Sequence, residues 1–290
     1  MANYKLLTIL KSDCLLGEGA YYSQQYRCVF WVDIKGARLF SCDQDGASLT
    51  SYLMPESLCW VRDHADGGLV AGFASGVYLI RPPFNTREII WENQHEPASN
   101  RLNDAAVDRR GQLYFGTMDN NEKARSGCLY SMVNGKPYRV DGHYIVSNGP
   151  AVSVDNKTLY STSSTDRTIY RFTRSSCGLL KEKTPHIRFT EQQGYPDGMT
   201  VDSDNHLWVA GWDGNGVFRF NPLGECVLFI PLPARQVTSV AFVGNNLQTL
   251  AVTTAKIGLS SQVLSAYPES GHTFLLHTAF TGLPEVPAVL

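Results

Sequence analysis

Six phrases of aromatic and β-branched residues recur along the chain: "CVFWVDI…RLFSC", "GGLVAGF…GVYLI", "GQLYFGTM…GCLYSM", "KTLYSTSS…TIYRF", "HLWVAGW…GVFRF" and "QTLAVTTA…LSAYP". Each reads as an inner strand, a tight turn and a second strand. With Trp31, Val70, Tyr114, Tyr160, Trp208 and Ala251 as equivalent points, the steps are 39, 44, 46, 48 and 43 residues, the span of a four-stranded propeller blade. No window of a dozen residues keeps its apolar positions at helical spacing. The expectation is an all-β fold: a six-bladed β-propeller of four-stranded antiparallel blades, with 1–290 as a single domain. A sandwich would share the short strands but not the repeated phrase. The run "KLLTIL" at 5–10 can lie beside "TFLLHTAF" at 273–280 and close the ring without a long free edge.

Composition narrows the function. With 290 residues, 43% hydrophobic and 18% charged, the chain can bury a large core. A formal charge of −2 with both signs scattered offers no basic field for nucleic acid and no Lys/Arg cluster for a membrane surface. No stretch of 18 apolar residues occurs, and the first residues lack a secretory pattern, so a cytoplasmic protein is expected. The seven cysteines (14, 28, 42, 59, 128, 177 and 226) include no C-x-x-C pair and read as reduced core thiols. The seven histidines are equally dispersed, which argues against a His-rich zinc site.

In a propeller, residues at one phase of the repeat lie on a ring around one channel. Ten to thirteen residues before each reference point stand Glu18, Trp60, Asn103, Asn148, Asp197 and Ser239. Four of the six carry side-chain carboxylate or amide oxygens. Crowded acidic oxygens repel one another unless a cation neutralises them, and an all-oxygen donor set suits Ca²⁺, Mg²⁺, Mn²⁺ or Fe²⁺, and Zn²⁺ less well. Taken singly, "PDG" at 196–198 and "SNG" at 147–149 are ordinary turn tripeptides. Their common phase with Glu18 and Asn103 is what speaks for a site.

The motifs "LLGEGAYYS", "NRLNDAAVDRRGQLYFGTMD", "VSNGPAVSVDNKTLYSTSS", "YPDGMTVDSDNHLWVAGWDG" and "VTSVAFVGNN" together resemble the SMP-30/gluconolactonase (regucalcin-like) family, from about residue 14 to about residue 256. The resemblance implies a six-bladed propeller with one divalent metal near the channel mouth. It implies metal ligands at Glu18, Asn148 and Asp197 and substrate contacts from Arg101 and Asn103. The acidic substrate residue that follows "GTM" corresponds to Asp119, with Glu122 as a rival. Ala20, Tyr22 and Val243 depart from the family pattern without touching a proposed ligand.

The implied activity is hydrolysis of a sugar-derived lactone to the aldonic acid in oxidative sugar catabolism. The protein is expected to be a monomer whose partner is that small molecule. Pro150 after "SNG" resembles members acting on pentonolactones such as arabinono- or xylonolactone; a hexonolactone is the alternative. Asp197 serves as ligand only or also as the base for the attacking water. Trp60 forms either an apolar wall or part of the core. Asp33 and Asp104 read as braces for nearby backbone, and Trp212 and Asp213 as a hairpin turn and its flank. Two other readings remain open: a metal-dependent esterase or calcium-handling protein, and a non-catalytic interaction propeller.

Overall fold

Runs rich in Val, Leu, Ile and aromatic residues form strands of four to nine residues in the computed structural model, which describes residues 3–175 and 178–290. They pair into six antiparallel four-stranded sheets. Five sheets use consecutive strands. The sixth combines Gln236–Val243, Thr249–Ala255 and Thr273–Thr278 with Tyr4–Leu10 from the other end of the chain. Tyr4 pairs with Thr278 and Leu10 with Thr273, so the ring is laced shut as the sequence predicts. Among the described residues the one helix is Ser261–Ala266, and none is long and apolar enough to cross a membrane.

The first strand of each sheet lies against the first strands of both neighbouring sheets, and the six together line a central channel. These strands are Gly17–Ser23, Leu58–Asp63, Asn100–Val107, Ser147–Val152, Tyr195–Val201 and Gln236–Val243. In five blades the repeated phrases are therefore the second and third strands, one step further out than the sequence suggests; in the sixth, "LSAYP" falls in the helix Ser261–Ala266 and the turn after it, and Thr273–Thr278 is the third strand. Those strands are sandwiched between blades and carry the apolar cross-strand pairs that make the repeat visible. Trp31 stacks on Phe40 with ring centroids 5.4 Å apart, and Phe115 on Tyr130 at 5.3 Å. Outermost strands such as Arg87–Glu92 and Cys226–Pro231 are mostly exposed.

Every inner strand carries a β-bulge at the same level. The register shifts fall between Glu18 and Tyr21, Leu58 and Trp60, Leu102 and Ala105, Asn148 and Ala151, Pro196 and Met199, and Val237 and Ser239. A bulge adds a residue to one strand and re-aims its side chains. Gly19 and Gly149 take φ values of 60° and 67° within two of these bulges, a region that costs a side-chain-bearing residue energy. Asp197 and Asn148 thus sit inside strands at bulges, and the turn reading of "PDG" and "SNG" is corrected.

Cys14, Cys42, Cys59 and Cys128 are buried free thiols, as expected of core residues. Cys28 is half-buried and Cys226 is exposed on an outer strand, which departs from that expectation. Cys177 lies outside the described residues.

Candidate functional site

The bulges bring Glu18, Asn103, Asn148 and Asp197, from four different blades, to the floor of one cavity of about 490 Å³. Glu18 and Asn148 are the last residues paired before their bulges, whereas Asn103 and Asp197 lie within theirs. Counting along the sequence could not resolve this one-residue stagger.

A chain of hydrogen bonds fixes the amides. Arg101 Nη1 donates to Asn103 Oδ1 at 2.6 Å, and Asn103 Nδ2 donates to Asn148 Oδ1 at 2.7 Å. Asn148 Nδ2 donates to Ser164 Oγ at 3.0 Å, and that hydroxyl donates to the Pro196 carbonyl at 2.7 Å. The carbonyl oxygen of Asn148 is thereby oriented, and one of its two lone pairs stays available. Asn103 also donates to the Ser147 carbonyl at 2.7 Å. Both its Nδ2 donors are committed to protein partners, while its Oδ1, like that of Asn148, accepts one bond and keeps a lone pair toward the cavity it lines.

The carboxylates are less well compensated: Glu18 Oε2 accepts the Gly19 amide at 3.1 Å, and burial outweighs it. Glu18 and Asp197 are 7% and 4% exposed, and Asp197 Oδ1 is buried with no hydrogen-bond partner. Burial first, then the charge of Asp104, pushes Glu18 up to about 8. Burial first, then the charges of Glu18 and Asp104, holds Asp197 well above the ordinary carboxylate range. Asp104 accepts the Ala105 amide at 2.7 Å, the bracing role expected of it. It also joins the acidic cluster, pushed to about 6 by burial against the pull of Arg62 at 3.8 Å. Asp33, by contrast, is a brace alone, accepting the Leu15, Leu16 and Gly36 amides.

A buried carboxylate oxygen without a donor, beside a second carboxylate and an oriented amide oxygen, fits a hard divalent cation. Two carboxylates plus one amide is a sparse set, and among the described residues no group of three or more His, Cys, Asp or Glu side chains could hold a metal. A cation held by Glu18, Asn148 and Asp197 would therefore have positions open for small oxygen ligands.

Two expected substrate residues are elsewhere. Trp60 is fully buried: its indole covers Gly72, where a Cβ would collide with the ring, and it packs against Phe115 at 6.2 Å. It follows its bulge by one residue, and a one-residue slip turns a strand side chain to the opposite face. Cys59, at the preceding position, faces Arg101, which opposes the upward push of burial on the thiol. Trp60→Phe is expected to lower stability by about 1–2 kcal/mol and leave KM within two-fold of wild type; a ten-fold rise in KM would return Trp60 to the substrate wall. Asp119 accepts the Asn121, Lys123 and Ala124 amides, and these donors pull it down to about 2. It holds the loop, and Glu122 on that loop lines the cavity instead.

The mouth also holds residues the sequence reading passed over. Tyr195 and Trp212 are cross-strand partners and both line the cavity, while Asp213 turns with φ 60° as expected. Tyr195 precedes Asp197 by two residues, one strand period, and that spacing was a legible signal. Lys35 and Asn120 complete this side of the rim, and no repeat phase marked them.

The sequence profile of the SMP-30/Gluconolactonase/LRE-like region matches residues 16–256. The 6-deoxy-6-sulfogluconolactonase of Pseudomonas putida is 29% identical over 98% of this chain and 98% of its own length. The L-arabinolactonase of Azospirillum brasilense is 31% identical over 92% and 90%. The structure of a calcium-binding protein, regucalcin, from Agrobacterium tumefaciens superposes with a TM-score of 0.92 at 23% identity, covering 98% of each chain.

Proposed function

Because the chain belongs to the SMP-30/gluconolactonase family, we propose that it is a divalent-metal-dependent hydrolase that opens a sugar-derived lactone to the aldonic acid. The observation that carries this reading is the unpartnered Oδ1 of Asp197, buried beside Glu18 and Asn148 at the floor of an open cavity. The volume of about 490 Å³ lies within the range of small-molecule sites, roughly 300–1,000 Å³. Lactonase names among the relatives support the reaction class.

Glu18, Asn148 and Asp197 would hold the cation. When bound, it supplies Lewis acidity at the lactone carbonyl and counter-charge for the oxyanion of the tetrahedral intermediate. Asp197, buried beside Glu18 at the cavity floor with one oxygen free of protein donors, is the candidate to take the proton of an attacking water. Arg101 presents a fixed guanidinium fork to the sugar oxygens, held by Asn103 from below. Tyr195 and Trp212 offer aromatic faces to the apolar side of a sugar ring.

On substrate, the pentonolactone expected from sequence has support in the arabinolactonase relative, and a substituted hexonolactone in the sulfogluconolactonase. The converging carboxylates disfavour a non-catalytic interaction propeller. The deciding measurement takes metal-stripped protein, adds back Ca²⁺, Mg²⁺, Mn²⁺, Fe²⁺ or Zn²⁺ singly, and follows a panel of aldonolactones and aryl esters above spontaneous hydrolysis. Recovery of lactone opening with at least one ion is expected. No recovery with any ion overturns the metal role, and faster aryl-ester turnover overturns the substrate class.

A further inference from the structure

Two cations at the cavity mouth share one neutral partner. Lys35, in the loop following Cys28–Asp33, donates through Nζ to Asn120 Oδ1 at 2.9 Å, and Arg101 Nε donates to the same oxygen at 3.1 Å. One amide oxygen does not balance two positive charges; Arg101 also feels Glu18 and Asp197 on the floor, whereas the acidic group acting on Lys35 is Glu122. Among the described residues neither cation forms an ion pair with a carboxylate, whereas the buried Arg174 and Arg219 sit directly on Asp108 and Asp202. Burial and then the charge of Arg101 hold the Lys35 ammonium below its ordinary range, with Glu122 pulling the other way. Glu122 is the acidic group on this side of the mouth, carried on an exposed loop with φ 55°.

Depth decides what this pair faces. Glu18 and Asp197 are buried on the floor, and no anion is tolerated near them. Lys35 and Asn120 are exposed at the rim, with Arg101 running between the two levels. A lactone whose carbonyl lies at the floor therefore points its far end at Lys35.

We propose that Lys35 and Arg101, bridged by Asn120, form a subsite for an anionic group on the end of the lactone remote from its carbonyl. The inference rests on the lactonase reading and narrows its substrate class. A sulfonate, phosphate or carboxylate shares the required chemistry: a localised negative charge with several acceptor oxygens that can replace Asn120 on both cations. The neutral parent lactone meets Arg101 through its hydroxyl oxygens and offers Lys35 no counter-charge.

The test compares gluconolactone with its 6-phospho, 6-deoxy-6-sulfo and 6-carboxylate counterparts, using the metal-loaded enzyme at low and high salt. At least one anionic lactone is expected to exceed the neutral one about ten-fold in kcat/KM, mainly through KM, and to lose that advantage as salt rises. Lys35→Gln should cut the anionic-to-neutral ratio about ten-fold. The arm that gains most names the anion. Equal or better turnover of the neutral lactone overturns the subsite, as does a Lys35→Gln loss of equal size on both classes. Failure to open any of the four lactones would instead overturn the lactonase reading on which it stands.

Discussion

Asp197→Asn is expected to cut lactone turnover by about 10³-fold while making the metal-free protein more stable. Both effects have one origin. Asp197 Oδ1 is buried without a donor, and its charge lies near those of Glu18 and Asp104. The amide keeps the shape and cannot ionise, so the desolvation of the charge and its repulsion by Glu18 and Asp104 are relieved at pH values where the carboxylate is ionised, worth about 1–3 kcal/mol. The melting temperature of the stripped variant should rise by about 2–4 °C for each kcal/mol recovered. On the proposed role activity falls because the carboxylate would be lost as a ligand, as a base, or as both. Cation titration by calorimetry separates these two duties. We expect affinity and kcat to fall together, which marks Asp197 as a ligand. Retained affinity with lost kcat would mark it as the base alone, and unchanged turnover would remove it from the site.

The metal-free protein is expected to lose stability as pH rises from 5 to 8, and a saturating divalent cation should flatten that slope. Glu18, ordinarily near 4.5, is pushed up to about 8 in the folded chain, and Asp197 and Asp104 shift in the same direction. The folded state then binds more protons than the unfolded state between those values. Stability is full below the unfolded value and drains away as pH passes through the folded one. The loss should be on the order of 2–5 kcal/mol, or about 5–15 °C in melting temperature. A cation held by the same oxygens replaces the proton as counter-charge and stabilises by mass action. Melting curves at pH 5 and 8, with chelator and with cation, read this directly. Equal slopes in the two series would mean that these carboxylates do not share a cation.

The propeller was legible because second and third strands pack on both faces between blades, and so repeat a phrase such as "HLWVAGW…GVFRF" in each blade. Glu18, Asn103, Asn148 and Asp197 were legible because residues at one phase of a ring converge whatever their separation in sequence. Trp60, for which the sequence left wall and core open, belongs to the core because it lies one residue past its bulge. The bulge between Leu58 and Trp60 leaves no mark on composition, yet it sends the indole into the core and puts Cys59 beside Arg101. Asp119 was misjudged because three backbone donors from its own loop claim it, and only the folded loop presents them.

Lys35, Asn120 and Trp212 were not legible, since a rim residue is defined by which loops meet across the mouth. The sequence by itself therefore determined the number of blades, the closure by Tyr4–Leu10 and the polar identity of the ring, all of which follow from periodicity along the chain. Tertiary structure alone decided which oxygens stay unpaired, which charges face one another and which cations stand at the mouth. Those properties depend on burial and on distances between blades, set by one-residue bulges that reverse the side a residue faces.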